Sequence, residues 1–227
     1  MIPELGHVAL ILALQLALAQ SVLCLAGASR GDERWMRMGK GAANGQLLFV
    51  AASFGSLAWA YFVNDFSVLN VAEHSSRKLP AIYRLTATWG SHEGSMLLWI
   101  LILSCWTVAL NLFTGHLPSA LQARVIGVMG AVSVVLLAFV LFTSNAFLRL
   151  DPPPPEGMDL NPLLQDLGMV IHPPLLYLGY VGFVVAFAFA VAAMLGDAFD
   201  SGWARWARPW PRASRSAPWH RSWPVPR

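Results

Sequence analysis

The chain has 227 residues, 56% of them hydrophobic and 12% charged, and that charge content is about half that of an ordinary soluble domain. With a mean hydropathy of +0.55, the composition excludes a water-soluble globule, because one soluble core cannot absorb so much apolar surface. The 15 basic and 12 acidic side chains leave a formal charge of +3. The basic residues fall between apolar runs, so they report membrane topology and not nucleic-acid binding.

A hydrocarbon core of about 30 Å needs about 20 helical residues. Five stretches free of Asp, Glu, Lys and Arg meet that length: Leu5 to Ser29, Gly41 to Asn64, Gly94 to Ala123, Val125 to Leu148 and Leu167 to Gly196. None alternates as a barrel strand does, and backbone polar groups in lipid must be paired internally. The sequence therefore predicts an all-α integral membrane protein of about five transmembrane helices with two long external loops. The first stretch follows Glu4, lacks a basic leader and runs long before Arg30, so it is read as a retained anchor and not a signal peptide. Residues 1–198 form the expected five-span membrane domain. Residues 199–227 form a basic tail rich in Trp and Pro.

Arg30, Arg34, Arg37 and Lys40 crowd the first connection. If they are cytoplasmic, Arg124 and the six tail arginines join them, against Arg77, Lys78, Arg84 and Arg149 on the other side. The positive-inside rule then puts the N-terminus outside. Two long connections lie outside with it, Asp65 to Glu93 and Asn145 to roughly His172. The second carries Asp151-Pro-Pro-Pro-Pro-Glu156, a stiff extended segment, and its Asp151, Glu156, Asp159 and Asp166 outweigh Arg149. Loops of this length are more often functional than simple connectors.

His172 directly precedes Pro173 and Pro174 at the outer mouth of the fifth span. A residue before proline is pushed out of the helical region and proline suits the first helical position, so His172 is expected at or near a helix cap. An imidazole fixed there suits metal ligation, or simple capping at the interface. His92 and Glu93, flanked by Gly90 and Gly94 with Trp89 and Trp99 nearby, read as a ligand pocket or, more simply, as an aromatic belt with a carboxylate beside a helix N-terminus. His7, His74, His116 and His220 have no partner at metal spacing, and no HExxH, phosphate loop or GxSxG is present. Cys24 and Cys105 lie far apart in apolar runs and form no CxxC. Gly127 and Gly130-Ala131 are expected to permit close helix approach. The spans hold no Asp, Glu, Lys or Arg, which disfavours an ion-coupled transporter and leaves a large, flat, apolar ligand as the better fit.

Three segments together resemble the cytochrome c maturation protein F family, the membrane component of a bacterial haem lyase. They are Tyr83 to Trp99 (YRLTATWGSHEGSMLLW), Asp159 to Asp166 (DLNPLLQD) and Ile171 to Tyr180 (IHPPLLYLGY). The opening Met1 to His7 resembles the family's start, and the likeness runs to about Trp210. The resemblance implies a bacterial inner-membrane, multi-pass protein that binds haem and helps attach its vinyl groups to the paired thiols of apocytochrome c. It acts there with other cytochrome c maturation subunits, in contact with membrane lipid. It implies that His172, in the His-Pro-Pro segment, is an external axial ligand of haem iron. No residue here is a nucleophile, since the attacking sulfurs belong to the substrate.

Family members continue into further spans and a tryptophan-rich WGxWWxWD haem platform, which this sequence lacks. From Pro211 the Arg-, Pro-, Ser- and Trp-rich closing stretch has no helical period and is expected to be disordered or to lie on the membrane, as after a frameshift. A basic-aromatic tail is also a plausible surface anchor. Without the resemblance, the alternative function is a non-catalytic membrane scaffold or small-solute channel.

Overall fold

The computed structural model describes residues 1–196, apart from the side chain of Met169; the tail expected over 199–227 lies outside the described residues. Helix α1 (Ile2–Arg30) ends in Gly31, whose φ of 68° is left-handed and whose N–H returns to the Gly27 carbonyl. Such a cap favours a residue without a Cβ penalty. Asp32 follows immediately as N-cap of α2 (Glu33–Val63), accepting the N–H groups of Arg34 and Trp35. The first connection is thus a two-residue turn, tighter than the charge pattern implies: Arg34, Arg37 and Lys40 ride on the first turns of α2.

α2 ends at Asn64, again left-handed at φ 55°. The Arg84 guanidinium donates to the Phe62 carbonyl, one of the helix-end acceptors with no partner inside the helix, at 3.1 Å. The 65–91 connection folds into the short helices α3 (Leu69–His74) and α4 (Ala81–Thr86) and one 3-10 turn, Ala87–Trp89. α5 (His92–Phe113) and α6 (Ser119–Phe142) are separated at Thr114-Gly115-His116-Leu117-Pro118. The charge-free stretch Gly94 to Ala123 therefore spans a helix end and a helix start. Gly115 and Pro118 break the helix well before the first charge, and Arg124 sits inside α6.

α7 (Leu167–Met194) completes five helices long and apolar enough to cross a membrane, α1, α2, α5, α6 and α7. The all-helical membrane architecture predicted from the sequence is what forms. Chain direction alternates, so the N-terminus, the 64–91 connection and the 143–166 connection share one end of the bundle, with the 31–32 and 114–118 turns at the other.

Glycines set the closest approaches. A Cβ on Gly39 would stand 2.5 Å from Cys24 Sγ, one on Gly127 2.8 Å from Leu25 Cγ, and one on Gly130 2.9 Å from Gln20 Nε2. The small-residue reading of Gly127 and Gly130 holds. Buried Gln20 donates to the Ile126 carbonyl at 2.7 Å, and Gln46 donates to Ser104 Oγ at 3.1 Å, tying α1 to α6 and α2 to α5 within the apolar interior.

One apolar core runs from the spans into the two long connections. Leu10, Leu57, Leu97 and Leu137 join Phe66, Val68, Val71, Phe147 and Leu160 in a single cluster. The two connections also pair directly: Leu69 N–H donates to Leu148 O and Leu150 N–H to Ser67 O, both at 2.8 Å. Arg149 closes the seam on Glu4 at 2.8 Å and Asp65 at 3.3 Å. Its charge is therefore committed to carboxylates and does not attract anions to the cap.

Candidate functional site

The segment Thr88 to Ser95 is built as a cap. Ser91 is the N-cap of α5 and its hydroxyl accepts the Gly94 N–H at 3.1 Å. A Cβ on Gly94 would fall 1.6 Å from the Thr88 carbonyl oxygen, so the turn closes only with glycine there. Asn70 of α3 is the hub between elements. Its Oδ1 accepts the buried Tyr61 hydroxyl at 2.6 Å and lies 3.1 Å from Ser91 Oγ, while its Nδ2 donates to Glu93 Oε2 at 2.8 Å. Glu93 is thus held by an amide as well as by its place at a helix N-terminus.

The histidines separate. His92 turns to α6, its Nε2 3.2 Å from Ser144 Oγ and its ring edge-on to Phe139. His74 Nδ1 lies 3.0 Å from the Asn70 carbonyl, and the His7 ring stands edge-on to Phe147. His116 lies exposed at the opposite end, and His220 lies outside the described residues. His92 and Glu93 therefore do not form a pocket with His172.

His172 is exposed, and its ring makes no hydrogen bond among the described residues. It is not at a cap. α7 begins five residues earlier, where Asp166 accepts the Gly168 N–H at 2.8 Å, and Pro173 and Pro174 lie inside the helix. The helix nonetheless runs through both prolines, and at one of the two carbonyls they deprive a side chain of another segment supplies the missing donor. Pro174 has no N–H for the carbonyl four residues back, at Val170. The indole Nε1–H of Trp89 donates to that carbonyl at 3.1 Å. Further along, Trp99 meets Tyr177 edge-on at 5.3 Å between ring centroids, and Trp106 Nε1 donates to the Leu178 carbonyl at 3.3 Å. The two motifs read separately in the sequence are one assembly, in which residues 89–106 grip the N-terminal half of α7.

Around His172, Leu163, Leu167 and Ile171 are exposed apolar side chains on the same end of the molecule. Among the described residues no group of three or more His, Cys, Asp or Glu stands together to chelate a bare metal ion. The donor set suits haem better. A porphyrin brings four equatorial nitrogens, leaving only axial positions for protein ligands, and its faces are apolar. One unencumbered imidazole beside exposed aliphatic side chains fits that need.

Electrostatically the 143–166 connection is acidic, and one of its carboxylates has a structural task. Glu156 Oε1 accepts the Arg77 N–H at 3.0 Å and the Gly157 N–H at 3.2 Å. The Arg77 N–H above all holds its carboxyl below the usual range, with the Gly157 N–H and the positive charges of Arg77 and Lys78 adding to it. Gly157 then passes so close to α3 that a Cβ would sit 2.1 Å from the Ser75 carbonyl, and Met158 N–H donates to Ala72 O at 2.7 Å.

Sequence reasoning missed Asn70, the donor role of Trp89 and Gly157. Pro174 does signal an unpaired carbonyl at Val170, but nothing in the chain order says which donor reaches it.

The family model for the cytochrome C assembly protein matches residues 89–224. The chain is 58% identical over 211 residues to the cytochrome c-type biogenesis protein CcmF of Pseudomonas aeruginosa, covering 92% of this chain and 32% of that protein. It is 52% identical over 215 residues to CcmF of Escherichia coli K12, covering 94% and 33% respectively. A solved structure titled cytochrome c heme lyase CcmF superposes with a TM-score of 0.79 at 29% identity, over 92% of this chain and 33% of that one. The chain therefore spans about a third of the length of the relatives it matches. With its motifs joined across α5 and α7, the chain belongs to the cytochrome c assembly protein family and corresponds to a portion of the CcmF proteins.

Proposed function

We propose that this chain is a haem-handling part of a cytochrome c haem lyase membrane subunit, and that His172 offers an axial imidazole to haem iron at the outer face of the bacterial inner membrane. The observation that carries the reading is the exposed imidazole of His172, without a hydrogen bond among the described residues, on a helix end that neighbouring indoles hold in place. Haem, when bound, would supply the vinyl groups to which the thiols of apocytochrome c add. The chain's own contribution would be positional: an exposed imidazole on α7, with exposed Leu163, Leu167 and Ile171 to receive an apolar face. Fixing one reactant converts a chance encounter into an effectively intramolecular one. Other maturation subunits and apocytochrome c are the partners this role calls for.

The outward placement rests on charge. Arg30, Arg34, Arg37, Lys40 and Arg124 gather at the bundle end opposite His172, which the positive-inside rule assigns to the cytoplasm. His172→Ala, introduced at the matching position of an intact CcmF protein, is expected to lower haem retained at the outer site and the yield of mature cytochrome c. Unchanged haem content and unchanged yield would overturn the assignment.

A further inference from the structure

We infer that Trp89 is a positioning residue for His172, acting through the Val170 carbonyl that Pro174 leaves without its helical donor. The inference deepens the haem-handling reading and rests on it for its functional meaning, while the contact itself stands on geometry alone.

Of the described side chains at the start of α7, Leu167, Ile171 and His172 are exposed, and only Val170 is partly buried. The turn that carries His172 therefore projects from the bundle with little packing to fix its angle. Its internal ladder is also weakened, because Pro173 and Pro174 withhold two successive N–H donors from the carbonyls at 169 and 170. A helix missing such bonds bends or frays unless another group restores them. The Trp89 indole donates to the Val170 carbonyl at 3.1 Å from outside the helix. Val170 lies two residues before His172, so the indole holds the turn at the point where its own ladder is broken.

Trp89 is itself anchored. It closes the 3-10 turn ahead of Gly90, and Leu160 and Leu164 lie 3.4 Å from where a Cβ on Gly90 would stand. Four residues on, Glu93 is bonded to Asn70, which also receives the buried Tyr61 hydroxyl. The position of the imidazole is thereby referred to the rigid outer cap instead of to α7 alone. A side-chain donor paired with a proline-freed carbonyl also makes a specific mutational signature: the donor should matter only while the proline is present.

The test uses the full chain in detergent and four forms: wild type, Trp89→Phe, Pro174→Ala and the double variant. Phe keeps an aromatic ring but donates no hydrogen bond, and Ala at 174 restores the N–H that Val170 O lacks. Deuterium uptake by the backbone of residues 167–172 is expected to rise on the order of tenfold in W89F, the scale of one lost hydrogen bond. It is expected to return toward the wild-type rate in the double variant, with helix content by circular dichroism unchanged throughout. Uptake in W89F equal to wild type overturns the inference. So does a double variant as fast as W89F, even if W89F folds poorly.

A second readout separates the contact from its purpose. With haemin added, W89F is expected to shift the ligand-field spectrum of the bound iron, and H172A to abolish it. Exchange that follows Trp89 and Pro174 while haem ignores His172 upholds the contact and overturns the haem reading. Haem that depends on His172 with exchange indifferent to Trp89 does the reverse.

Discussion

Gly94 has no room for a methyl group: the Thr88 carbonyl oxygen lies 1.6 Å from where its Cβ would be. The contact is with backbone, so the neighbour cannot rotate away, and the 3-10 turn ending at Trp89 would have to shift as a whole. Gly94→Ala is expected to destabilise the chain by about 1–3 kcal/mol, the usual scale of overpacking. A fall of several degrees in the thermal midpoint, with Trp89 fluorescence altered, would confirm it; an unchanged midpoint would show that the turn yields. Glycine at 94 and histidine at 172 are both conspicuous in the sequence, but for reasons the sequence does not contain. The short polar and small residues of the 88–95 run mark a cap, whereas Asn70, which bonds three of its partners, looks like any loop asparagine. Its importance arises from a tertiary meeting of α2, α3 and α5.

At the scale of elements, the lengths of apolar runs reveal which spans exist, and their charged borders mislead about where they end. A helix stops where its backbone is capped or broken. Gly115 and Pro118 accordingly end α5 and start α6 well inside a charge-free stretch, and Asp32 starts α2 ahead of its basic cluster. Helix α7 shows the opposite error, with two prolines tolerated within it because an indole on another segment replaces a missing donor.

The proline-rich connection behaves as an element too, docked by Glu156 on the Arg77 N–H and by Met158 on Ala72. Because the folded-state pKa of Glu156 is depressed, its contribution to docking is full above the ordinary carboxylate range and is lost as pH falls through the lowered value. A spin label at position 154 is expected to gain mobility on acidification in the wild type. In Glu156→Gln the label should already be more mobile at neutral pH, with that pH-dependent step gone; an identical acid response in both forms would place its cause elsewhere.

For the whole molecule, the two ends of the bundle differ in kind. One carries short turns with Arg30, Arg34, Arg37, Lys40 and Arg124 beside Asp32 and Glu33; the other carries a folded cap that mixes Arg77, Lys78, Arg84 and Arg149 with Glu4, Asp65, Glu73, Glu93, Asp151, Glu156, Asp159 and Asp166. Cysteines introduced one at a time at Asp151 and Gly115, in a chain with Cys105→Ser that keeps only the buried Cys24, test which end faces out. An impermeant maleimide is expected to label position 151 in intact spheroplasts and position 115 only after lysis. The opposite pattern would invert the proposed orientation.

The seam at Arg149 also dictates an order of assembly. Glu4 and Asp65 leave the ribosome long before the arginine that bridges them, and Val68 waits equally long for its partner strand segment. Four hydrophobic segments must therefore be threaded into the bilayer while the acidic start of the protein and its first long connection stay open. Only when the fourth has emerged does the late-made segment arrive to stitch the early ones together, so maturation of the cap is a closing event in biogenesis and not a foundation laid at its start.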